Sequence, residues 1–318
     1  MIGPLDDQTD MMVSTLQALR RQEESGYQSH DYLHQQAQSP PVVRGPLQNE
    51  NPSAVDIDCR FRMTEWCYQI VDYCKFQRDT VAIAMSFVDR ALSTPAGQVI
   101  VNDRNLFQLA AMTSLYTAVK IHEPEAIEPS LIASLSRGAF TTEQVEQMEM
   151  KLLAALQWRV NPATALFFVQ QFLDLVPAHL LNDELRTTVF EVAKFQTELA
   201  VCDYELSTVN ASSIAFAALL NALESLVGSN SLHLQVANQL EVTLAQAALI
   251  DSRSSQLTAI RIRLYEAIQR NRAPDQEPRS CSLAPQQTCA SEILESTKAA
   301  SNGACSSPRS VSATTSAL

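Results

Sequence analysis

The sequence has little glycine, histidine or charge, and it lacks the short motifs of most catalytic sites. Seven glycines and five histidines occur in 318 residues, and Asp, Glu, Lys and Arg together make up 18%. There is no Cys-x-x-Cys pair, Gly-x-Gly-x-x-Gly turn, P-loop or nucleophile-elbow serine, so the usual ligand sets for zinc and phosphate are missing. We therefore expect neither an enzyme nor a cofactor, and no metal site.

One histidine pair echoes a metalloprotease motif. His30-Asp31-Tyr32-Leu33-His34 has the spacing of the His-Glu-x-x-His zinc motif, with Asp31 where the catalytic glutamate belongs. The segment is polar, and no apolar helix would hold the two imidazole rings in place. A solvated linker is therefore the favoured interpretation of this segment.

Long apolar runs and positive charge are also missing. No stretch of about eighteen uninterrupted apolar residues occurs, and Met1–Asp10 has no basic or apolar run, so we expect no membrane span and no signal peptide. The formal net charge of −12 disfavours nucleic-acid binding, because a basic face is needed to neutralise phosphates. Seven cysteines, an odd number, are typical of thiols in a reducing compartment, so we expect the nucleus, the cytoplasm or both.

What the chain does have is helical periodicity. Hydrophobic residues make up 46% of the sequence, and within the periodic region glycine and proline fall between apolar runs rather than inside them. Apolar residues recur at i, i+3, i+4 and i+7, and no set of alternating runs would build a sheet. We predict an all-α protein with two tandem five-helix domains.

Each predicted domain has a central helix that is apolar around most of its circumference, as expected for a helix buried on several sides. In the first domain this helix covers Asn105–Ile121. Thr141-x-x-Gln144 is a capping-box pattern, and Asn161-Pro162 predicts an N-cap followed by proline at the first helical position. The helices predicted for the second domain are Ala163–Leu175, Asn182–Ala200, Thr208–Val227, Ser231–Ile250 and Arg253–Arg270.

Polar segments set the predicted domain boundaries. Residues 1–52 are polar with prolines near their end, and we expect them to be mostly disordered apart from a short helix over Met11–Arg21. The first helical domain is predicted to cover residues 53–161 and the second residues 162–272. Residues 273–318 are rich in Ser, Thr, Gln, Ala and Pro and are predicted to form a disordered tail.

Three blocks of the first domain resemble the cyclin box. Residues 59–66 (CRFRMTEW) are similar to the family's Met-Arg-x-Ile-Leu-x-Asp-Trp, and residues 87–93 (FVDRALS) to its aromatic-Leu-Asp-Arg-Phe-Leu-Ser. The third block runs from Leu109 through Lys120 to Glu149. All three lie in the family's order on the first, second, third and fifth helices. The chain therefore resembles a cyclin over residues 53–161, with a plausible second cyclin fold after them.

The resemblance implies a structural role for one charged pair. Arg60 and Asp89 would form an internal salt bridge between the first two helices; the alternative is two ordinary exposed charges. Met63 and Trp66 could contribute to a substrate-docking patch for Arg-x-Leu motifs. Arg62 would repel the arginine of such a motif, so a core position for Trp66 is favoured.

A second pair is implied in partner binding. In cyclins the residues that match Lys120 and Glu149 form the centre of the kinase contact and hold the helix that carries the kinase's glutamate. Supporting contacts would come from Ile121, Phe140 and Leu153. The alternative is a solvated lysine at a helix end and a glutamate on a helix face.

Other short features bear on regulation. Ser39 and Ser307 each precede a proline and are minimal proline-directed phosphorylation sites, and Arg44-x-x-Leu47 is a minimal destruction-signal pattern. Residues 120–123 read Lys-Ile-His-Glu where the family has Lys-aromatic-Glu-Glu. That departure leaves the choice of kinase open.

Two functions are consistent with the sequence. The leading one is a cyclin that binds and activates a cyclin-dependent Ser/Thr protein kinase in cell-cycle control. The alternative is a cyclin-fold adaptor or transcription-associated scaffold that does not act through a cell-cycle kinase; such factors need a basic surface for DNA, which the net charge of −12 disfavours. A helical-bundle enzyme lacks an acid–base or metal constellation. The expected partner is a kinase, not a membrane or a nucleic acid.

Overall fold

The computed structural model describes residues 7–34, 54–177, 180–227 and 231–272, and all regular structure in these ranges is helical. The all-α prediction is confirmed. The helices are α1 (Asp7–Gly26), α2 (Ile57–Cys74), α3 (Asp79–Leu92), α4 (Gln98–Val101), α5 (Arg104–His122), α6 (Pro129–Leu135), α7 (Thr142–Ala155), α8 (Ala165–Asp174), α9 (Asp183–Cys202), α10 (Ala211–Val227), α11 (Ser231–Ala248) and α12 (Ser255–Arg272). Two 3₁₀ turns, Pro95–Gly97 and Tyr204–Thr208, lie between helices.

The first core surrounds α5. The side chains of this helix are apolar on nearly every side, and most of them are fully buried, as the sequence predicts for a central helix. Asp103 starts α5 by accepting hydrogen bonds from the backbone N–H groups of Asn105 and Leu106 at 2.8 and 3.2 Å. The capping box predicted at Thr141 and Gln144 is also confirmed, with both reciprocal hydrogen bonds formed at the start of α7.

The second core surrounds α10, which packs against α8, α9 and α12. Aromatic rings join its helices: the Phe172 and Phe216 centroids lie 5.9 Å apart with their planes at 68°. The predicted N-cap at Asn161 is wrong, because α8 begins three residues later. Thr164 is the N-cap, and its Oγ1 accepts from the N–H of Phe167 while donating to Asp79 of α3 at 2.7 Å. A tertiary hydrogen bond thus helps fix where the helix starts.

The N-terminal segment is packed against both cores. Helix α1 is longer than the predicted Met11–Arg21, and its Leu16 is fully buried in the second core. Arg20 of α1 donates to the carbonyls of Ala248 and Leu249 at the end of α11. Tyr32 then enters the first core at 1% exposure. The predicted disorder of residues 1–52 therefore does not apply to residues 7–34, because side chains of this segment pack against distant parts of the chain. The other residues of both predicted tails lie outside the described ranges.

The described cysteines Cys59, Cys67, Cys74 and Cys202 are not joined by disulfide bonds. Cys59 and Cys67 are buried, where cysteine packs like a small hydrophobic side chain. Burial raises the pKa of Cys67 to about 12 and that of Cys202 to about 11, so both thiols stay protonated near neutral pH. Among the described residues, no helix is long and apolar enough to cross a membrane.

Candidate functional site

Lys120 and Glu149 meet on the surface of the first core. Lys120 lies in the last turn of α5, and its Nζ donates to both carboxylate oxygens of Glu149 on α7, at 3.1 and 3.3 Å. The Lys120 side chain is 49% exposed, whereas that of Glu149 is 12% exposed. The pair therefore presents an accessible ammonium beside a carboxylate that is held mostly within the protein.

The surroundings favour the charged form of Lys120. Partial burial by itself would lower the pKa of Lys120, but the hydrogen bond and negative charge of Glu149 outweigh it and raise that pKa above its ordinary value. The Tyr116 ring, one turn earlier on α5, adds a cation–π contact with Nζ 5.4 Å from its centroid. A lysine at a helix C-terminus is also favoured by the helix dipole. Lys120 is thus a charged donor with its geometry set by two neighbours.

This pair contributes little to folding. Because the Lys120 ammonium is open to solvent, water screens the attraction, and we expect the pair to stabilise the fold by at most about 1 kcal/mol. Both groups retain capacity for further hydrogen bonds, since a lysine ammonium has three donors and a carboxylate about four acceptor sites. The arrangement can therefore bind polar backbone groups of a partner.

The apolar residues predicted beside the pair differ in accessibility. Ile121 is 43% exposed and can contact a partner directly. Phe140 and Leu153 are buried at 9% and 8% exposure, and Phe140 packs in the first core. Of the three, Ile121 has the largest surface available to a docked protein.

Two exposed apolar residues of the first domain were absent from the predicted site. Trp158 is 65% exposed and Met150, next to Glu149 on α7, is 59% exposed. Trp158 follows the end of α7, and His122 at the end of α5 lies with its Nε2 2.9 Å from the carbonyl oxygen of Val160, two residues after Trp158. The sequence signal that could have indicated an exposed aromatic residue is the position of Trp158, which follows the last residue of the apolar stripe of α7.

The backbone at Trp158 is strained. Gln157 and Trp158 have φ angles of 51° and 60°, the left-handed region that costs a residue other than glycine about 1–2 kcal/mol. The turn ends α7 and leads the chain into the second core while leaving the indole in solvent. A strained backbone that exposes a large aromatic side chain is a common arrangement at binding sites.

Arg60 and Asp89 are in contact deep in the protein. Nε and Nη2 of Arg60 donate to the two oxygens of Asp89 at 2.8 and 2.7 Å, and both side chains are less than 5% exposed. Tyr32 donates to the same carboxylate at 2.9 Å, and Nη1 of Arg60 donates to the carbonyl of Val201 at 2.8 Å. The pair thus joins α2 and α3 to the N-terminal segment and to the end of α9.

Burial also determines the ionisation of this cluster. Although desolvation alone would lower the pKa of Arg60, the charge and hydrogen bonds of Asp89 outweigh it, and the pKa is raised. Burial, together with the nearby Asp89 carboxylate, raises the pKa of Tyr32 well above its ordinary value, so its hydroxyl stays a donor. Arg60 and Tyr32 therefore stay protonated near neutral pH and act as fixed donors to Asp89.

Met63 and Trp66, the predicted docking-patch residues, are each only 6% exposed. Their side chains belong to the first core, as the favoured core interpretation of Trp66 requires. Phe61 of the same helix is 41% exposed and Arg62 is partly exposed. The outer surface of this part of α2 is thus formed by residues other than the two that were predicted.

The histidine pair of the N-terminal segment has a structural explanation. His34 Nδ1 lies 2.9 Å from Asp31, and Asp31 also accepts from the Tyr204 hydroxyl at 2.8 Å. No group of three metal-binding side chains occurs in the part of the chain that the structure describes. The candidate phosphorylation sites Ser39 and Ser307 and the Arg44-x-x-Leu47 pattern lie outside the described residues.

Comparison with known families gives a direct result. The profile of the family "Cyclin, N-terminal domain" matches residues 14–161. Residues 14–161 form a cyclin N-terminal domain. The match begins within α1, so it includes the N-terminal segment as well as the first core.

Cyclins from several animals are similar to this chain. G2/mitotic-specific cyclin-B of Drosophila melanogaster is 26% identical over 205 residues, which are 63% of this chain and 36% of that protein. G2/mitotic-specific cyclin-B2 of Rana japonica is 30% identical, covering 59% and 45%. G1/S-specific cyclin-E1 of Gallus gallus is 26% identical, covering 45% and 34%. The matched region thus spans less than half the length of these relatives.

One solved structure of the same family is also similar. A viral cyclin from herpesvirus saimiri matches with a TM-score of 0.44 at 18% identity, covering 63% of this chain and 90% of that chain.

Among cyclins, this chain has a modified sequence after Lys120. Glu123, the last residue of its Lys-Ile-His-Glu run, accepts hydrogen bonds from the N–H of Gln77 and the hydroxyl of Thr80 at the start of α3. One oxygen of its carboxylate is therefore already bound to the start of α3. His122, where the family has a glutamate, holds the Val160 carbonyl instead. Both residues that follow Ile121 are thus engaged in contacts within the protein.

Proposed function

We propose that this protein is a cyclin, a regulatory subunit without catalytic chemistry of its own that binds and activates a cyclin-dependent Ser/Thr protein kinase in cell-cycle control. The observation that carries the proposal is the Lys120–Glu149 pair with its accessible ammonium, together with the exposed side chains of Ile121, Met150 and Trp158 on or just after the same two helices. Aromatic residues and methionine are enriched at protein interfaces, and polar groups form the surrounding rim.

The chemistry of the pair suits a particular kind of contact. The Lys120 ammonium can bind backbone carbonyls, and the Glu149 carboxylate can bind backbone N–H groups, at adjacent points 3.1 Å apart. Such a contact would fix one helix or loop of the kinase so that its glutamate reaches the lysine that holds the ATP phosphates. The names of its relatives, which include mitotic and G1/S-specific cyclins, support a cell-cycle role.

The experiment removes both polar anchors. In the variant Lys120→Ala with Glu149→Ala, we expect the kinase to be lost from affinity purifications while the far-ultraviolet circular dichroism spectrum stays helical, because the pair contributes at most about 1 kcal/mol to folding. Co-purified kinase is measured by mass spectrometry and by phosphorylation of Ser/Thr peptides. The matched control is Glu191→Ala with Lys194→Ala, which removes the same two charges from α9 of the second core.

The control determines how the result is interpreted. Kinase at the wild-type level with the α9 control, and none with the Lys120 and Glu149 double variant, supports the proposal. Recovery of the kinase at wild-type yield with both variants would show that the contact lies elsewhere. We also propose a nuclear or cytoplasmic location, which a fluorescent fusion imaged through the cell cycle tests.

A further inference from the structure

Arg90 of α3 is a buried cation without a counterion. Its residue exposure is 6%, Nη2 donates to the carbonyl of Arg159 at 2.8 Å, and the guanidinium lies 4.6 Å from the Tyr27 ring centroid. Nη1 has no hydrogen-bond partner, and no carboxylate lies within ion-pair distance of Arg90, among the residues that the structure describes. Burying an unpaired charge is costly, so this position calls for an anion.

The surroundings leave the charge in place. Burial lowers the pKa of Arg90 to about 10, an effect that the Tyr27 hydroxyl opposes and the Arg159 guanidinium increases. That value is still well above neutral pH, so Arg90 remains protonated there. A persistent positive charge with a free donor is a binding group for an anion.

Arg90 lines a cavity of about 130 Å³ where the N-terminal segment meets both cores. Several hydroxyl-bearing residues line its wall, among them Ser29, Ser86, Thr164 and Thr197. The hydroxyls of Ser29, Thr164 and Thr197 donate to other groups of the protein, whereas Ser86 lies one turn from Arg90 on α3. The first residues of α8 and α10, Ala165 and Ala211, also border it, and helix N-termini carry partial positive charge. Pockets for drug-sized ligands are about 300–1,000 Å³, so this cavity fits only something as small as an oxyanion.

Two carboxylates also border the cavity, and both are bound to other groups. Both oxygens of Asp89 accept from Arg60. Glu23 accepts from the N–H of Ser212 at 3.0 Å and from its hydroxyl at 2.7 Å. These carboxylates do not neutralise Arg90, and their negative charge limits the affinity for an anion.

We propose that this cavity binds a small oxyanion of the phosphate or sulfate type on the guanidinium of Arg90. The ligand binds helix α3 through Arg90 and the hydroxyl of Ser86, and it lies beside the first residue of α8, Ala165. Its binding is independent of the proposed kinase contact, which lies at the end of α5 and on α7.

The test measures the thermal unfolding midpoint of the full-length chain against inorganic phosphate, with sodium chloride adjusted to constant ionic strength. We expect the midpoint to rise with the logarithm of phosphate concentration, because a ligand that binds only the folded state stabilises it by mass action. Arg90→Gln should lose the rise, and Arg62→Gln, which removes a guanidinium outside the cavity, should keep it. Equal rises of the midpoint in the wild type and in Arg90→Gln would show a general salt effect and overturn the proposal. A wild-type midpoint that does not rise with phosphate would overturn it as well.

A second variant supplies the anion covalently. Ser86 and Arg90 are four residues apart on α3, the spacing at which an acidic and a basic side chain meet. Ser86→Asp should therefore raise the midpoint in phosphate-free buffer and abolish the phosphate response. A lower midpoint, or a variant that does not fold, would show that Arg90 does not accept an anion in this cavity and would refute the proposal.

Discussion

Replacing Asp89 by asparagine should destabilise the first core far more than any comparable change at the surface. The carboxylate accepts two hydrogen bonds from Arg60 and one from Tyr32, all shorter than 3 Å, with the ion pair less than 5% exposed. Asparagine has nearly the same shape but no charge and one fewer oxygen. The substitution therefore leaves the Arg60 guanidinium buried without its anion.

The magnitude follows from that stranded charge. Breaking a buried ion pair by removing one partner costs about 3–5 kcal/mol, because desolvation of the remaining ion is no longer offset. Asp72→Asn on α2 is the matched control, since its pair with Arg78 has side chains that are 50% and 39% exposed. That change should cost less than about 1 kcal/mol.

Tryptophan fluorescence is the appropriate assay. Trp66 and Trp158 are the two tryptophans of the chain, and they lie in and beside the first core, so their emission follows its unfolding in urea separately from the second core. The denaturation midpoint should drop strongly for Asp89→Asn and barely for Asp72→Asn. Equal midpoints for the two variants would refute the reasoning that burial makes the Arg60–Asp89 pair costly to break.

Three further outcomes are expected. Leu115→Ala should lower the free energy of unfolding by about 2–5 kcal/mol in the same fluorescence assay, because Leu115 is fully buried in α5. Trp66→Ala should lower the free energy of unfolding by about 3–5 kcal/mol, measured by circular dichroism in urea, because the ring is buried. Loss of Arg-x-Leu peptide binding with unchanged stability would instead place the ring on a surface. Burial raises the pKa of Glu23, so the folded state binds its proton more readily than the unfolded state, and stability falls as pH rises through that raised pKa. Glu23→Gln should therefore stabilise the protein more at pH 7 than at pH 4 in urea titrations, and an equal effect at both values would contradict this.

Much of the fold could be predicted because local patterns and tertiary contacts agree. The capping box at Thr141 and Gln144 forms within four residues, and α5 is apolar all round, so it needs no knowledge of its neighbours to be assigned to a core. The start of α8 was misplaced for the opposite reason. Asn161-Pro162 is an acceptable local signal for a helix start. The start at Thr164 is instead supported by its hydrogen bond to Asp79, a residue far away in sequence that local patterns do not reveal.

The same distinction applies to the site. The spacing of Lys120 and Glu149 is a sequence property, and the structure brings the two side chains together. Which neighbours are accessible depends on how helices pack, so Phe140 and Leu153 could not be separated from Ile121 in advance. The ordered structure of residues 7–34 was not predicted, because their own composition is polar. The apolar surface that buries Leu16 and Tyr32 belongs to the rest of the chain.

The position of α1 determines where a recombinant fragment of this protein should begin. A recombinant fragment starting at Ser53 would retain the helices around α5 but lack the hydrogen bond from Tyr32 to the Asp89 carboxylate. It would also expose to water the apolar side chains of the second core that pack against Leu16. Newly uncovered apolar surface of that kind promotes aggregation. Expression designs that begin before Asp7 keep both contacts, whereas trimming at the apparent edge of the helical repeats should yield a protein that precipitates or needs a solubilising fusion.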